Sequence, residues 1–287
     1  MNAKLNMRRA NDINQILENC GEQYRVHYHE PVKNGTVRPA FALESTTGEY
    51  NLSPNVYLDD ELLEKSDTEL IQTLGEIYDG AKGNMDISKY LDPDYVKMNV
   101  RPRLLNGNRL DNISKTNIVY RPYLDMVETL YLPINKNADG FMSMQMSHAF
   151  LDAVGVNESD AFQYAIWNVV DDLEVTPIGQ VIESITGMPQ PEIGAQMLVL
   201  TNKPSTYGAA VMLNHSVLEQ ARTWLGSDSI VILPSSIHEV LCCAIEQDAE
   251  LERFREMVKS VNDSVLEEDE LLSYSVYRWD GREVTIG

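Results

Sequence analysis

The N-terminal part of the chain alternates between helical and strand-like hydrophobic patterns. The predicted elements are, in order, a helix over residues 3–20, strands over Tyr24–His29, Thr36–Glu44 and Glu49–Leu52, and a helix that follows Ser66. Asn34-Gly35 is a turn signal between the first two strands. Ser66 and Glu69 have capping-box spacing, which marks the start of the second helix. We therefore predict a small αβββα domain over residues 1–90.

A polar stretch, residues 91–116, follows and is interpreted as a connector. Beyond it, residues 117–287 are predicted to form a larger domain. Its predicted strands are Asn117–Leu124, Glu128–Ile134, Phe141–Met146, Met197–Thr201, Ala209–Leu213, Ser229–Leu233 and His238–Ile245. Its predicted helices are a short one from Ala149 that ends at Gly155, Glu158–Asp172, a helix capped by Ser216 and Glu219, Ala249–Val261 and Glu267–Leu272. A hairpin over Asp280-Gly281 follows them. These patterns predict an α+β fold with mainly antiparallel sheet.

Two stretches of the larger domain share one order of elements. A shift of 67 residues places Leu130–Leu151 on Met197–Leu218 without gaps, with four identities in 22 positions. Among the pairs are His148 with His215, each just before a predicted helix. The shared pattern predicts a repeated strand–strand–helix unit.

The net charge of −21 narrows the classes of partner. Such a chain repels nucleic-acid phosphates and anionic lipids, so direct nucleic-acid binding and membrane association are disfavoured. The N-terminus lacks the apolar run of a signal peptide, and no stretch of about 18 apolar residues is present. Three cysteines without metal-site spacing fit a reducing compartment, and we predict a cytoplasmic protein without a cofactor.

The acidic charge is concentrated in the second part of the chain. Residues 1–120 have 14 Lys/Arg and 18 Asp/Glu, whereas residues 121–287 have 9 and 26. The 66 residues between Lys136 and Lys203 contain nine acids and no Lys or Arg. A second cluster, Glu246–Glu270, contains ten acids and three basic residues. A solubilising surface explains this charge, and so does a surface that binds a basic partner. The candidate partner-facing residues are Asp171, Asp172 and Glu174.

Candidate chemistry concentrates in one segment, Ser235-Ser236-Ile237-His238-Glu239. His238-Glu239 begins like a zinc-protease motif, but the second histidine is missing four residues on. Ser235, Ser236, His238 and Glu239 could form a hydrolytic or small-molecule site, although no nucleophile-elbow motif surrounds the serines. Their hydroxyls could equally satisfy the backbone of a turn. No phosphate-binding glycine loop and no metal site is predicted.

Several segments together resemble an uncharacterised bacterial family of unknown function. They are NLSPNVYLDDELLEKSDTELIQTLGEIYD, NIVYRPYLDMVETLYLPI, HAFLDAVGVNESDAFQYAIWNVV and MLVLTNKPSTYGAAVMLNHSVLEQARTWLGSDSIVILPSSIHEVLCC. The resemblance covers nearly the whole chain and implies a bacterial, cytoplasmic setting. It implies no catalytic residue, and LPSSIHE (Leu233–Glu239) is the segment where a shared site would be sought first.

Three functional hypotheses remain open at this point. The first is a non-enzymatic interaction protein whose acidic C-terminal region binds a basic protein, for example by nucleic-acid mimicry or against a host-defence protein. The second is a small-molecule-binding protein or hydrolase with a site near Ser235–Glu239. The third is a structural scaffold. The first is preferred, because the charge asymmetry is the strongest signal in the sequence.

Overall fold

The computed structural model describes residues 3–48, 53–81, 88–137, 140–188, 197–245 and 250–287, which form two compact units, 1–89 and 90–287. The helices are α1 (Ala3–Cys20), α2 (Asp60–Glu64), α3 (Asp67–Ala81), α4 (Pro93–Asn99), α5 (Leu110–Ile113), α6 (His148–Val154), α7 (Glu158–Asn168), α8 (Ile178–Thr186), α9 (His215–Leu225) and α10 (Leu251–Val265). The α+β class with mainly antiparallel sheets is confirmed.

The strands are short except for β8. They are β1 (Tyr24–His29), β2 (Val32–Lys33), β3 (Thr36–Val37), β4 (Ala40–Ser45), β5 (Asn55–Tyr57), β6 (Arg101–Asn106), β7 (Tyr120–Tyr123), β8 (Met126–Asn137), β9 (Gly140–Gln145), β10 (Leu173–Pro177), β11 (Met197–Asn202), β12 (Ile230–Pro234), β13 (Val240–Ala244), β14 (Tyr277–Trp279) and β15 (Val284–Ile286).

The first unit packs α1 and α3 with a three-stranded sheet of order β1-β4-β5. Ile13 of α1, Phe41 of β4 and Leu74 of α3 are fully buried in its core. The predicted first helix and first strand are confirmed, and Ser66 and Glu69 form the predicted capping box. The predicted strand Glu49–Leu52 lies outside the described residues.

The second unit contains two antiparallel sheets. One has the order β6-β8-β7, with β9 also paired to β8, and the other has the order β10-β11-β13-β12-β14-β15. Residues of both sheets and of α9 share one apolar cluster. The predicted connector 91–116 is no linker, because it supplies α4 and the strand β6, which pairs with β8 along its whole length.

A single carboxylate links the turn between β7 and β8 to the larger sheet. Asp125 accepts hydrogen bonds from Ser273 Oγ and Ser275 Oγ, both at 2.8 Å, and from Tyr277 Oη at 2.6 Å. Burial, and then the bond to Asp125, raise the pKa of Tyr277. Because all three hydroxyls donate to this carboxylate, it connects the turn before β8 with residues 273–277, which lie far away in the sequence.

The second half of the predicted repeat does not contain its second strand. Residues 130–151 form strand, strand and helix start, but Gly208–Leu213 form a 3₁₀ helix that is buried throughout. β11 pairs with β10 on one side and β13 on the other, so it has no edge free for Ala209–Leu213. A short buried apolar run does not by itself distinguish a strand from a helix. The helix starts do correspond, since His148 and His215 each occupy the first helical position.

Two local predictions near the C-terminus are also wrong. Asn214, not Ser216, caps α9, and its side chain accepts the Ser216 N–H at 2.9 Å. Residues Glu267–Leu272 form a turn instead of a helix, and the carbonyl of Glu270 accepts the N–H of Ile237. The predicted hairpin over Asp280-Gly281 does form, with Trp279 paired to Val284 across a four-residue loop. The helix predicted over Ala249–Val261 forms as α10, and Ala249 lies outside the described residues.

Candidate functional site

The segment Ser235–Glu239 is a turn that joins β12 to β13. Ser236 Oγ accepts the N–H of His238 at 3.0 Å, and the Ser236 N–H donates to the Glu239 carbonyl at 3.3 Å. Ser235 Oγ donates to Glu239 Oε1 at 3.1 Å. The predicted strand over His238–Ile245 therefore begins only at Val240, because the serine hydroxyls and backbone of this segment close a turn.

His238 is oriented by the backbone of Tyr207. Its Nδ1 accepts the Tyr207 N–H at 3.1 Å, which leaves the ring proton on Nε2. Nε2 lies 3.6 Å from Glu270 Oε1. The imidazole also stacks on the Tyr207 ring, with 5.9 Å between the centroids and an interplanar angle of 19°. The hydrogen bond and the stacking contact together fix the orientation of the imidazole, and the lone pair on Nδ1 already accepts the Tyr207 N–H.

This geometry does not form the nucleophile–base pair of a serine hydrolase. Such a site needs a histidine nitrogen that accepts the serine hydroxyl proton. Here the acceptor nitrogen of His238 is bonded to Tyr207, and the Ser235 hydroxyl is bonded to Glu239. The structure thus places Ser235, Ser236, His238 and Glu239 in one turn, but it couples the serine to the carboxylate instead of the imidazole.

The half-buried Tyr207 ring that stacks on His238 also contacts two buried side chains, Arg103 and Tyr131. The guanidinium of Arg103 sits 5.0 Å from the centre of the Tyr207 ring, and Tyr131 meets that ring edge-on at 5.2 Å. Arg103 is buried and donates from Nε to Thr129 Oγ1 at 3.1 Å. Tyr207 adopts a left-handed backbone with φ of 59° to reach this position. Arg103 and Tyr131 thus both contact the Tyr207 ring on which His238 stacks.

The cavity beside this stack is too small for an organic ligand. Its volume is about 10 Å³, and it is lined by residues that include Arg101, Tyr131, Asp172 and Tyr207. A volume of this size holds about one water molecule. A small-molecule pocket usually has a volume of about 300 Å³ or more. None of Ser235–Glu239 lines this cavity, and the observed contacts of that segment are those of a hydrogen-bonded turn.

The three predicted partner-facing acids do not share one environment. Arg101 binds two of them, with Nη2 at 3.4 Å from Asp171 Oδ2 and Nε at 3.6 Å from Asp172 Oδ2. Burial raises the pKa of Asp172, and Arg101 opposes this shift. Glu174, on β10, is exposed and forms no ion pair with a described residue. Asp171 and Glu174 are thus both exposed, and of these two only Asp171 is paired with Arg101.

The sequence reasoning missed α8, which follows β10 directly. Ile178, Val181, Ile182 and Ile185 have the i, i+3, i+4, i+7 spacing of an amphipathic helix, and this was the signal that could have revealed it. The nine-residue helix has no side-chain cap at Pro177 and ends at Gly187 in the left-handed conformation. No residue of α8 is buried.

The apolar side chains at the end of α8 lie open to solvent. Ile182 is 36% exposed, Ile185 78% and Met188 66%. We call these three residues the α8 surface. Glu183 on α8 and Glu174 on β10, a strand that α8 contacts, are exposed as well. Exposed apolar side chains and two exposed carboxylates therefore lie on α8 and on β10, an edge strand of the six-stranded sheet.

Comparison with known proteins now places the chain in a family. The sequence profile of the family described as "Family of unknown function (DUF5688)" matches residues 10–281. The chain belongs to the DUF5688 family. The match covers both compact units, and it confirms the resemblance to a family of unknown function. No curated protein and no solved structure matches the chain.

In the part of this DUF5688 chain that the structure describes, neither a metal-binding cluster nor a membrane-spanning helix is found. Among the described residues, no group of three His, Cys, Asp or Glu side chains could hold a metal ion. In the same part of the chain, no helix has both the length and the apolar character needed to cross a bilayer.

Proposed function

We propose that this protein is a cytoplasmic, non-enzymatic interaction protein whose acidic region binds a basic protein partner. One observation carries the proposal. Between Lys136 and Lys203, a stretch that we call the acidic segment, seven acids lie in the described part of the chain, and five of them are exposed. Those five are Asp152, Asp160, Asp171, Glu174 and Glu183.

The sequence supplies little positive charge to balance these carboxylates. The acidic segment itself contains no Lys or Arg. Arg101, from β6, reaches Asp171 and Asp172, whereas Glu174 and Glu183 form no ion pair with a described residue. A concentration of unbalanced exposed charge attracts a partner of opposite sign and speeds its association. The same charge opposes binding to nucleic acid or to anionic lipid.

The alternative, a hydrolase or a small-molecule-binding protein, has less support. The acceptor nitrogen of His238 is bonded to the backbone, and the neighbouring cavity holds about one water molecule. The three cysteines are free, and burial raises the pKa of both Cys242 and Cys243, which keeps these thiols protonated and unreactive. Unpaired thiols also agree with a reducing, cytoplasmic setting.

Affinity capture from a lysate of the source cells tests the proposal. The full chain is used as bait at low salt and at about 1 M salt, where the screening length falls to about 3 Å. We expect a basic protein that is retained at low salt and lost at high salt. A matched bait with Glu174→Gln and Glu183→Gln should retain less of it, and a bait with Glu61→Gln and Glu64→Gln in the first unit should not differ from the unmodified chain. Capture only of neutral or acidic proteins, insensitive to salt, would contradict the proposal.

A further inference from the structure

Two aromatic side chains lie next to each other on the solvent side of α7. Tyr164 and Trp167 form a perpendicular pair, with 5.5 Å between the ring centres and an angle of 85° between the ring planes. Tyr164 is half-buried, whereas Trp167 is 56% exposed. A perpendicular pair uses one face of one ring, so ring surface of Trp167 remains open to a further contact.

Helical spacing places a carboxylate beside this pair. The residues that α7 buries are Ala161, Phe162 and Ala165. Asp160 lies four residues before Tyr164 and seven before Trp167, so at about 100° per residue these three side chains fall within about 60° of one another. The sector that they share lies away from the buried side of the helix. Asp160 is exposed, and it forms no ion pair with a described residue.

The carboxylate and the rings together point to a cationic ligand. A carboxylate in the first turn of a helix is favoured by the helix dipole, so Asp160 on its own indicates no ligand. An exposed tryptophan beside it adds a second attraction for a cation, through the negative face of the ring. Asp171, about one turn beyond Trp167, is also exposed, but Arg101 already binds it.

The basic residues of the neighbouring elements are engaged elsewhere. α4 contacts α7, and its Lys97 is paired with Asp94. Arg121 of β7 lies over the Phe162 ring, 4.3 Å from the ring centre, on the buried side of α7. α7 itself contains no Lys or Arg. The described ion pairs thus supply no cation to Asp160.

We propose that Trp167 and Asp160 receive an arginine side chain of the basic partner. The guanidinium would lie on the open surface of the Trp167 ring, and its N–H groups would donate to the Asp160 carboxylate. Arginine suits both contacts, because its planar guanidinium stacks on aromatic rings and donates to a carboxylate through two N–H groups. Tryptophan, tyrosine and arginine are also enriched among the residues that dominate binding energy at interfaces.

This inference rests on the proposed function, and it adds which side chains hold the partner and which residue the partner presents. The same charge disfavours two other occupants of this face. An anionic membrane, at whose surface tryptophan and tyrosine are common, is repelled by Asp160 and by the net charge of −21. A second copy of this chain carries the same net charge, which opposes its approach at low salt.

Three synthetic peptides serve as the probe. Each is a flexible glycine–serine chain of about ten residues with the same positions replaced by arginine, by lysine or by citrulline. Lysine keeps the positive charge without the planar guanidinium, and citrulline keeps a planar group without the charge. Binding of each labelled peptide to the full-length protein is measured by fluorescence anisotropy at low salt and at about 0.15 M salt.

We expect the arginine peptide to bind at least about threefold more tightly than the lysine peptide, because stacking on the ring adds to the attraction between the charges. The citrulline peptide should bind most weakly. Trp167→Ala should remove the preference for arginine, Trp167→Phe should keep part of it, and Asp160→Asn should weaken both cationic peptides.

The matched control is Trp224→Ala. Trp224, on α9, is 50% exposed and forms no ring contact with a described residue. The residue four positions before it is Gln220, where α7 has a tyrosine and an aspartate on the side of its exposed tryptophan. Trp224→Ala should leave the affinities for all three peptides unchanged.

The outcomes separate this inference from the proposed function. Arginine and lysine peptides that bind equally, unaffected by Trp167→Ala but weakened by Glu174→Gln, Glu183→Gln, would overturn the inference and leave the proposed function intact. A preference for arginine that Trp167→Ala leaves unchanged would place the contact elsewhere and would also overturn it. No binding of either cationic peptide at low salt would count against both proposals.

Three measurements test for other occupants of this face. Light scattering would reveal a dimer that Trp167→Ala dissociates, and sedimentation with vesicles of anionic lipid would reveal membrane binding that the same variant abolishes. A melting temperature of Trp167→Ala well below that of Trp224→Ala would show that this chain covers the ring. Any of these results would overturn the inference, whereas a monomer that ignores the vesicles and whose two variants melt together supports it.

Discussion

Two amphipathic helices of the second unit, α8 and α9, differ in how far they bury their apolar side chains. α9 buries Val217, Leu218, Ala221 and Leu225, and it contacts β13 and the 3₁₀ segment Gly208–Leu213. α8 has four isoleucine and valine residues at equivalent helical spacing, but it buries none of them. Hydrophobic periodicity therefore predicts that a helix has an apolar face, and it does not predict what covers that face.

The two helices are also held in place by different kinds of contact. α9 has an Asn214 cap at its start and Gly226 in the left-handed conformation at its end, with its apolar stripe in the largest core cluster. The strand before α8 begins next to Asp171 and Asp172, which Arg101 holds by ion pairs. Apolar packing thus holds α9 in place. The ion pairs of Arg101 with Asp171 and Asp172 help to hold β10, the strand that leads to α8.

The largest expected effect is at the buried helix. Leu218→Ala should lower the free energy of unfolding by about 2–5 kcal/mol, because Leu218 is fully buried and the substitution leaves a cavity. Urea denaturation followed by circular dichroism measures the change. The exposed Trp224 of the same helix provides the control, since Trp224→Ala should cost far less. A loss below about 1 kcal/mol for Leu218→Ala would contradict the assigned packing of α9.

A smaller loss of stability is expected when Arg101, the cation that pairs with Asp171 and Asp172 before β10, is removed. Arg101→Ala should lower the free energy of unfolding by about 1–3 kcal/mol near neutral pH, because it leaves Asp172 partly buried without its cation. Burial already raises the pKa of Asp172 in the folded protein, and loss of Arg101 should raise it further. A raised folded-state pKa means that the penalty is present above that pKa and disappears as pH falls towards the unfolded value.

Unfolding measured at neutral and at mildly acidic pH checks this sign. The deficit of Arg101→Ala relative to the unmodified protein should shrink as the pH is lowered. The double variant Arg101→Ala, Asp172→Asn should lose that pH dependence, since its position 172 no longer titrates. A deficit that grows on acidification would mean that ionised Asp172 stabilises the folded protein. That result would contradict the raised pKa that burial gives this carboxyl.

The smallest effect on stability is expected at the α8 surface. Ile185→Ala should change the free energy of unfolding by no more than about 0.5 kcal/mol, because the side chain is 78% exposed. The same denaturation experiment measures it beside Leu218→Ala. A loss of more than about 1 kcal/mol would mean that Ile185 is covered by this chain, and the contrast between α8 and α9 would then disappear.

Much of the fold could be predicted from local signals. α1, β1 and the Ser66 capping box are recognisable because periodicity, glycine and capping chemistry act over a few residues. The 3₁₀ segment Gly208–Leu213 could not be predicted, since its conformation depends on β11 being paired on both sides. α8 was missed because it is short, lacks a capping side chain and follows Pro177 at once.

The candidate site could be predicted less well than the fold. Ser235, Ser236, His238 and Glu239 do cluster in one turn, as their sequence proximity requires, but sequence spacing says nothing about Tyr207, which takes the acceptor nitrogen of His238 from a separate segment. Likewise, Asp171 and Asp172 appear as free acids in the sequence, and only the fold brings Arg101 to them. Long-range partners of this kind are outside the reach of periodicity and motif spacing.

The central claim is that the exposed carboxylates of the acidic segment bind a basic protein partner. Affinity capture with the unmodified chain and with the Glu174→Gln, Glu183→Gln variant, each at low salt and at about 1 M salt, tests it most directly. We predict that the unmodified chain retains a basic protein at low salt only, and that the variant retains less of it. Retention that is equal for both baits and insensitive to salt would contradict the claim.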